Sequence, residues 1–357
     1  MIDGSLLLLG IAGPELTVAE AALFRRLQPA GYVLFTRNIT SPAQTRCLTD
    51  ELRGLTARLP IIAIDQEGGR VTRTKDIAPA APSAPALAAC RDMGQIADAG
   101  ALTGDLLRLL GFNLNFAPVL DLDHFPATPN ALCGRSWGRD PQRVIDGAGH
   151  WSRWLRKRGI ASCAKHFPAG GRALADPHHD LPSCPATLAE LLREDIIPYT
   201  ALMPELDAIM LGHVEFPNID ADFPASLSPR IVRRLLRDQL GFDQHLVLTD
   251  DLDMGAITKR YGRGEDVRLA LEAGNDLAMI CHNTATAEDA ARAIGELPRP
   301  LTAAARERVE HFCYKKLQPP LVWSDTKWQA TCDALAKLAA GFDTPSDAGP
   351  TSPVADY

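Results

Sequence analysis

From Lys165 to Pro182 the chain reads KHFPAGGRALADPHHDLP, which gathers a lysine, three histidines and two aspartates within eighteen residues. Such groups can move protons. An imidazole, with an ordinary pKa of about 6.5, can give a proton near neutral pH and later take one back. Asp176 stands two residues before His178 and can bind the ring's other nitrogen, fixing its tautomer as the acid of a catalytic triad does. The same Asp176, His178, His179 and Asp180 cluster could instead hold a metal or be plain polar surface. Gly170 and Gly171 lift the usual limits on backbone angles, and Pro177 stiffens the tip, so the stretch reads as a hinged loop with a rigid end.

A loop histidine needs something to work against. In LVLTDDLDMGAI an apolar run delivers Asp250, whose ionised carboxylate can attack an electrophilic carbon. Asp251 and Asp253 follow in the turn and read as solvated or capping groups. Other polar residues also close apolar runs: Asp65, Asp121, Lys165 with His166, and His213. Each alone has a bland explanation, an aspartate after a strand being a common helix cap and a buried histidine a common core residue. Their convergence is harder to dismiss, because stability gives no reason to crowd carboxylates at one place. Arg135, in the long loop Gly134-Arg-Ser-Trp-Gly138, could reach over the same place. Asp65-Gln-Glu-Gly-Gly-Arg70 again couples an acid to a flexible turn.

The elements that would position these groups are eight short apolar runs: Ser5 to Ile11, Tyr32 to Phe35, Pro60 to Ile64, Phe112 to Val119, Ala161 to Ala164, Ala208 to Leu211, Leu246 to Leu248 and Asp276 to Ile280. They lack period-two alternation, as strands covered on both faces should. Helical patterns lie between them. Thr17 with Glu20 and Ser41 with Gln44 read as capping boxes, the second before a helix over Thr45 to Leu59; Asp140 caps a helix with Pro141 at its first position, and Ser228-Pro229 opens Arg230 to Leu240. The rhythm predicts an α/β fold, a (β/α)8 barrel over residues 1–300, with a doubly wound open sheet as the alternative. Helices over Thr302 to Lys316 and Thr326 to Ala340 are expected to pack on its exterior. The Pro- and Ser-rich stretch 343–357 is expected to be disordered.

The 357 residues, 46% apolar and 23% charged, describe a globular chain. A net charge of −7 gives no electrostatic reason to expect nucleic acid as partner. Asp3 stands where a signal peptide would carry positive charge, and no run reaches the length of a membrane span, so a cytoplasmic protein without membrane attachment is expected. The eight cysteines form no C-x-x-C pair, which suits reduced thiols rather than disulfides or structural zinc.

The segments GYVLFTRNI, IDQEGGRV, NFAPVLDLD, GRSWGRDP, KHFP, MLGHV, PASLSP and LVLTDDLDMGAI occur in the order found in glycoside hydrolase family 3, and over residues 5–285 the chain most resembles its single-domain β-N-acetylhexosaminidases of the NagZ type. The resemblance implies removal of terminal β-linked N-acetylglucosamine from peptidoglycan fragments in cytoplasmic wall recycling, by a monomer that uses no metal or other cofactor. Asp250 then matches the nucleophile, His178 the acid/base and Asp176 its partner. Asp65, Arg135, Lys165 and His166 match sugar-binding residues, and by weaker local similarity so do Asp121 and His213. The chain also departs from the pattern. The family loop reads KHFPGHGDT followed by D-S-H, whereas Ala169, Gly170, Arg172, Ala173 and Pro177 stand here where it has Gly, His, Asp, Thr and Ser. Two other outcomes therefore stand beside hydrolysis. A loop that no longer closes would leave a sugar-binding protein. A neutral imidazole does not repel an anion, so a phosphorylase with Arg172 helping to hold phosphate is the third reading.

Overall fold

Runs such as Leu-Leu-Leu-Gly and Ile-Ile-Ala-Ile offer no polar face to water, so they are stable as strands only where both faces are covered. The computed structural model, which describes residues 2–342 apart from 127, 129 and 175, closes eight of them into a parallel barrel. In chain order these are β1 (Leu7–Gly10), β2 (Gly31–Leu34), β3 (Ile61–Ile64), β4 (Leu114–Asn115), β5 (Ala161–Phe167), β6 (Ala208–Leu211), β7 (Leu246–Asp251) and β8 (Leu277–Ile280). The seam is made by β1 against β8, with Leu7 opposite Ala278 and Leu9 opposite Ile280. The open-sheet alternative is thereby excluded. The stretch 343–357, expected to be disordered, lies outside the described residues.

Local chemistry sets the helix starts. Thr17 and Glu20 form the expected box, the hydroxyl accepting Glu20 N–H at 3.1 Å and the carboxylate accepting Thr17 N–H at 3.0 Å. Ser41 makes only half of one: it accepts Gln44 N–H, but the Gln44 side chain accepts from Thr40 instead. That helix spans Pro42–Arg53 and stops at Gly54, short of the expected Leu59. Asp140 caps Pro141–Lys157 as expected. Helices Arg299–Lys316 and Asp325–Ala339 follow the barrel, the latter packing on Met93–Leu110.

Strand ends decide which side chains reach the mouth of the barrel. β4 is much shorter than the apolar run Phe112 to Val119, although beyond it the Cys163 and Lys165 N–H groups still donate to the Ala117 and Pro118 carbonyls. β5 and β7 run longer than their apolar cores, and each carries a register irregularity near its end: between Ala164 and Phe167 against β6, and where Leu277 to Met279 of β8 meets Leu248 to Asp251 of β7. In a regular strand consecutive side chains point to opposite faces. These irregularities re-aim them, so that Lys165 with His166, and Asp250 with Asp251, all line one pocket.

Candidate active site

The pocket opens at the C-terminal ends of the strands and, with its solvent-open mouth, spans about 540 Å³. One wall is ionic. The Lys165 ammonium, at the end of β5 and only 2% exposed, lies 2.6 Å from both Asp65 Oδ1 and Glu67 Oε1. Arg135 closes the set through a two-pronged contact with Glu67, Nε to Oε2 at 2.9 Å and Nη2 to Oε1 at 2.7 Å. Burial would raise the Glu67 pKa, but Arg135 and Lys165 drive it far below the carboxylate range; Arg135 and Lys165 are raised in return. Arg73 reaches Asp65 Oδ2 at 3.6 Å. A hairpin, Gln66–Gly68 with Val71–Thr72, turns the chain so that Arg73 comes back to Asp65. Gln66 pins it: its Oε1 accepts Arg73 N–H at 3.0 Å and its Nε2 donates to Thr74 at 2.9 Å. The wall can thus offer a polyhydroxylated ligand both fixed acceptors and fixed donors.

Asp250 stands on β7 across this pocket. Burial raises its pKa, yet the neighbouring His166 ring and the Asp251 N–H, 2.8 Å from Oδ1, outweigh that and leave it below the ordinary carboxylate value. It is a half-buried, ionised carboxylate, the state a nucleophile needs. Its neighbour behaves oppositely. Burial and the charge of Asp253 push Asp251 up to about 8, so it is protonated at neutral pH. Asp251 is therefore a buried pocket residue rather than the solvated or capping group expected. Its Oδ1 accepts the N–H groups of Asp253 and Cys281, both at 3.0 Å, and its Oδ2 lies 3.4 Å from His282 Nε2. Burial and Arg37 lower His282 to about 4, so that ring is neutral.

His166 and His213 serve different ends. His166 lines the pocket, its Nδ1 held 2.7 Å from Asp121 Oδ2, which also accepts the His166 N–H at 3.0 Å. Asp121 is wholly buried behind it. His213 is buried too, with Nδ1 2.7 Å from Ser226 Oγ and Nε2 2.9 Å from the Asp251 carbonyl; both ring nitrogens are taken by the protein. It lines a second, mostly apolar compartment of about 470 Å³, walled by Leu132, Ala173, Pro177, Val214 and Met254. The two compartments meet at Asp250, His166, His178, Arg135 and Met254.

The loop brings the last pair. Asp176 Oδ1 lies 2.6 Å from His178 Nδ1 and accepts the His178 N–H at 3.0 Å, so the dyad expected from spacing is formed, with both side chains mostly buried. The four-residue cluster does not gather as metal ligands: Asp180 pairs outward with Lys259. Among the described residues the group that does converge is His124, Glu194 and Asp195, and the Arg172 guanidinium already lies across both carboxylates. Arg172 is not in the pocket, which removes it as a partner for phosphate. Nor do Gly170 and Gly171 act as a hinge of unusual backbone angles. Neither has a left-handed φ; Gly171 is needed for close approach, since a Cβ there would lie 2.0 Å from the Leu122 carbonyl oxygen.

All nine candidate residues thus belong to one constellation, Asp121 and His213 as its backing. Glu67, Arg73, Asp251 and His282 were missed. The rule that found the others, a polar group after an apolar run, would have found His282 after β8. Glu67 and Arg73 needed the hairpin, and Asp251 needed the register shift.

The profile described as "Glycosyl hydrolase family 3 N terminal domain" matches residues 7–311. A protein named "Beta-hexosaminidase" from Pseudomonas aeruginosa is 36% identical over 298 residues, covering 83% of this chain and 88% of that one. A "Beta-hexosaminidase" from Xanthomonas campestris is 37% identical over 292 residues, 79% of this chain and 86% of its own. Among solved structures, native NagZ from Neisseria gonorrhoeae superposes with a TM-score of 0.80 at 28% identity, covering 95% of this chain and 98% of that one. A family 3 β-N-acetylglucosaminidase from Paenibacillus gives 0.86 at 31% identity, over 94% of this chain and 67% of its own. With the profile matched over residues 7–311 and relatives 36–37% identical along most of its length, the chain belongs to glycoside hydrolase family 3.

Proposed function

We propose that the protein is a retaining exo-β-N-acetylglucosaminidase that releases terminal β-linked N-acetylglucosamine. The observation that carries this is the meeting of an ionised Asp250 and the Asp176–His178 dyad at one pocket. In the first step an Asp250 oxygen bonds to C1 of the sugar as the C1–O bond to the leaving group breaks, and protonated His178 gives its proton to that departing oxygen. In the second, water attacks C1, its proton passes to neutral His178, and the bond to Asp250 breaks. Asp176 orients the imidazole through the contact at Nδ1. The ionic wall of Asp65, Glu67, Arg73, Arg135 and Lys165 would hold the sugar hydroxyls.

The choice of N-acetylglucosamine rests on the beta-hexosaminidase names of the relatives and on a NagZ structure in complex with N-trifluoroacetyl-D-glucosamine. Peptidoglycan-derived fragments, met in the cytoplasm by a monomer, are the expected substrates in keeping with that resemblance. No helix among the described residues is long and apolar enough to cross a membrane. The test is a chromogenic β-N-acetylglucosaminide assayed by NMR for product anomer, with Asp250→Ala as control. Release of the β-anomer first, abolished in the variant, supports the reading; turnover unchanged in Asp250→Ala would sink it.

A further inference from the structure

The geometry points to Arg172 as the positioning residue that sets the acid/base loop over Asp250. This rests on the assignment of His178 as proton donor. Arg172 lies at the root of the loop, four positions before Asp176. Its Nε donates to Asp195 Oδ2 and its Nη2 to Glu194 Oε2, each at 2.7 Å. Asp195 is 2% exposed, and its other oxygen is 2.7 Å from His124 Nε2. One guanidinium therefore fastens the loop root to the segment after helix Leu188–Arg193 and, through Asp195, to the chain that follows β4. The same turn is held from the other side, Gly171 donating to Asp121 Oδ1 at 3.2 Å.

Among the described residues the loop is also held at its exit and at its tip, away from its root. At its exit, Glu215 N–H donates to the Pro182 carbonyl at 2.9 Å, and Cys184 N–H to the Glu215 carbonyl at 2.8 Å. At its tip, Gly255 and Ala256 donate to the His178 and Pro177 carbonyls, while the Lys259–Asp180 pair is exposed and so worth little. A buried carboxylate meeting arginine is a stronger tie than any of these, because breaking it strands an uncompensated charge. Arg172 touches neither compartment. Its effect is therefore on the placing of the loop, altering where His178 stands rather than what it is.

That distinction can be read in the leaving group. A departing dinitrophenolate needs no proton, whereas a departing alkoxide does. Arg172→Ala should lower kcat/KM by about 30-fold on a methyl β-N-acetylglucosaminide but by less than about 3-fold on the dinitrophenyl glycoside, as expected for a displaced proton donor. Arg172→Lys should recover part of the loss. Asp195→Asn, which keeps the shape and removes the charge, should show the same substrate dependence and provides a second reading should Arg172→Ala fold poorly. Equal losses on both glycosides, or none on either, would overturn the proposal. His178→Ala separates the two assignments: if it shows the leaving-group dependence and the Arg172 and Asp195 variants do not, only the role of Arg172 falls. If His178→Ala itself lacks it, the acid/base assignment falls and takes the role of Arg172 with it.

Discussion

The backbone N–H of Gly255 donates to the carbonyl of His178 at 3.1 Å, so the tip of the loop that carries the Asp176–His178 dyad rests on the turn that follows the strand of Asp250. The dyad and the strand of Asp250 are thereby registered through main chain. A Cβ at position 255 would lie 2.6 Å from the His179 carbonyl oxygen and 2.8 Å from that of His178, both backbone atoms that cannot rotate away. Gly255→Ala must therefore lift the tip. Since misplacement by about 1 Å can cost roughly 100-fold, kcat on a chromogenic β-N-acetylglucosaminide should fall by about that factor. The melting temperature should change little, because the loop carries few of the core contacts. Wild-type kcat in Gly255→Ala would refute the registration.

The raised pKa of Asp251 makes a prediction about stability. An aspartate titrates near 3.9 when unfolded but at about 8 here. Between those values the folded protein holds a proton that the unfolded chain has lost, so stability declines as pH rises through that window. Asp251→Asn keeps the acceptor for the Asp253 and Cys281 N–H groups and cannot ionise. Melting curves at pH 5, 6, 7 and 8 should fall for the wild type relative to Asp251→Asn, the gap widening steadily with pH. A constant gap would show that Asp251 is not protonated in the fold.

Lys165 neutralises two carboxylates at once. Lys165→Met is close in volume but leaves Asp65 and Glu67 with less countercharge at a buried site, Glu67 being 6% exposed in its side chain. Breaking a buried pair by removing one partner costs about 3–5 kcal/mol. Urea unfolding should report a loss of that order, together with loss of sugar binding. A variant with wild-type stability would mean that the wall relaxes without its lysine.

The barrel was legible because fully covered strands show themselves as unbroken apolar runs, and all eight are where those runs are. The positions of Asp65, Lys165, His213 and Asp250 followed from the same signal, being the first charged or imidazole groups beyond it. The Asp176–His178 dyad was legible for a different reason: its contact is local, two residues apart. What sequence did not disclose depends on distant chain. Asp251 reads as a turn aspartate because strand alternation sends it away from Asp250, and only the mismatch with β8 brings it back. Arg172 reads as an exposed loop arginine because its partners, Glu194 and Asp195, lie beyond the loop and past a helix. Glu67 differs from any acid in a glycine turn only once Lys165 and Arg135 close on it.

Asp121 couples matters that chemistry could have kept apart. One of its oxygens holds the His166 ring and the other the Gly171 N–H, so a single buried carboxylate is shared by the pocket wall and the root of the loop. Neither can be redesigned independently. An engineer grafting a different loop onto this barrel, to change the leaving group it accepts, would have to retain a backbone donor at position 171 or lose the orientation of His166 as well.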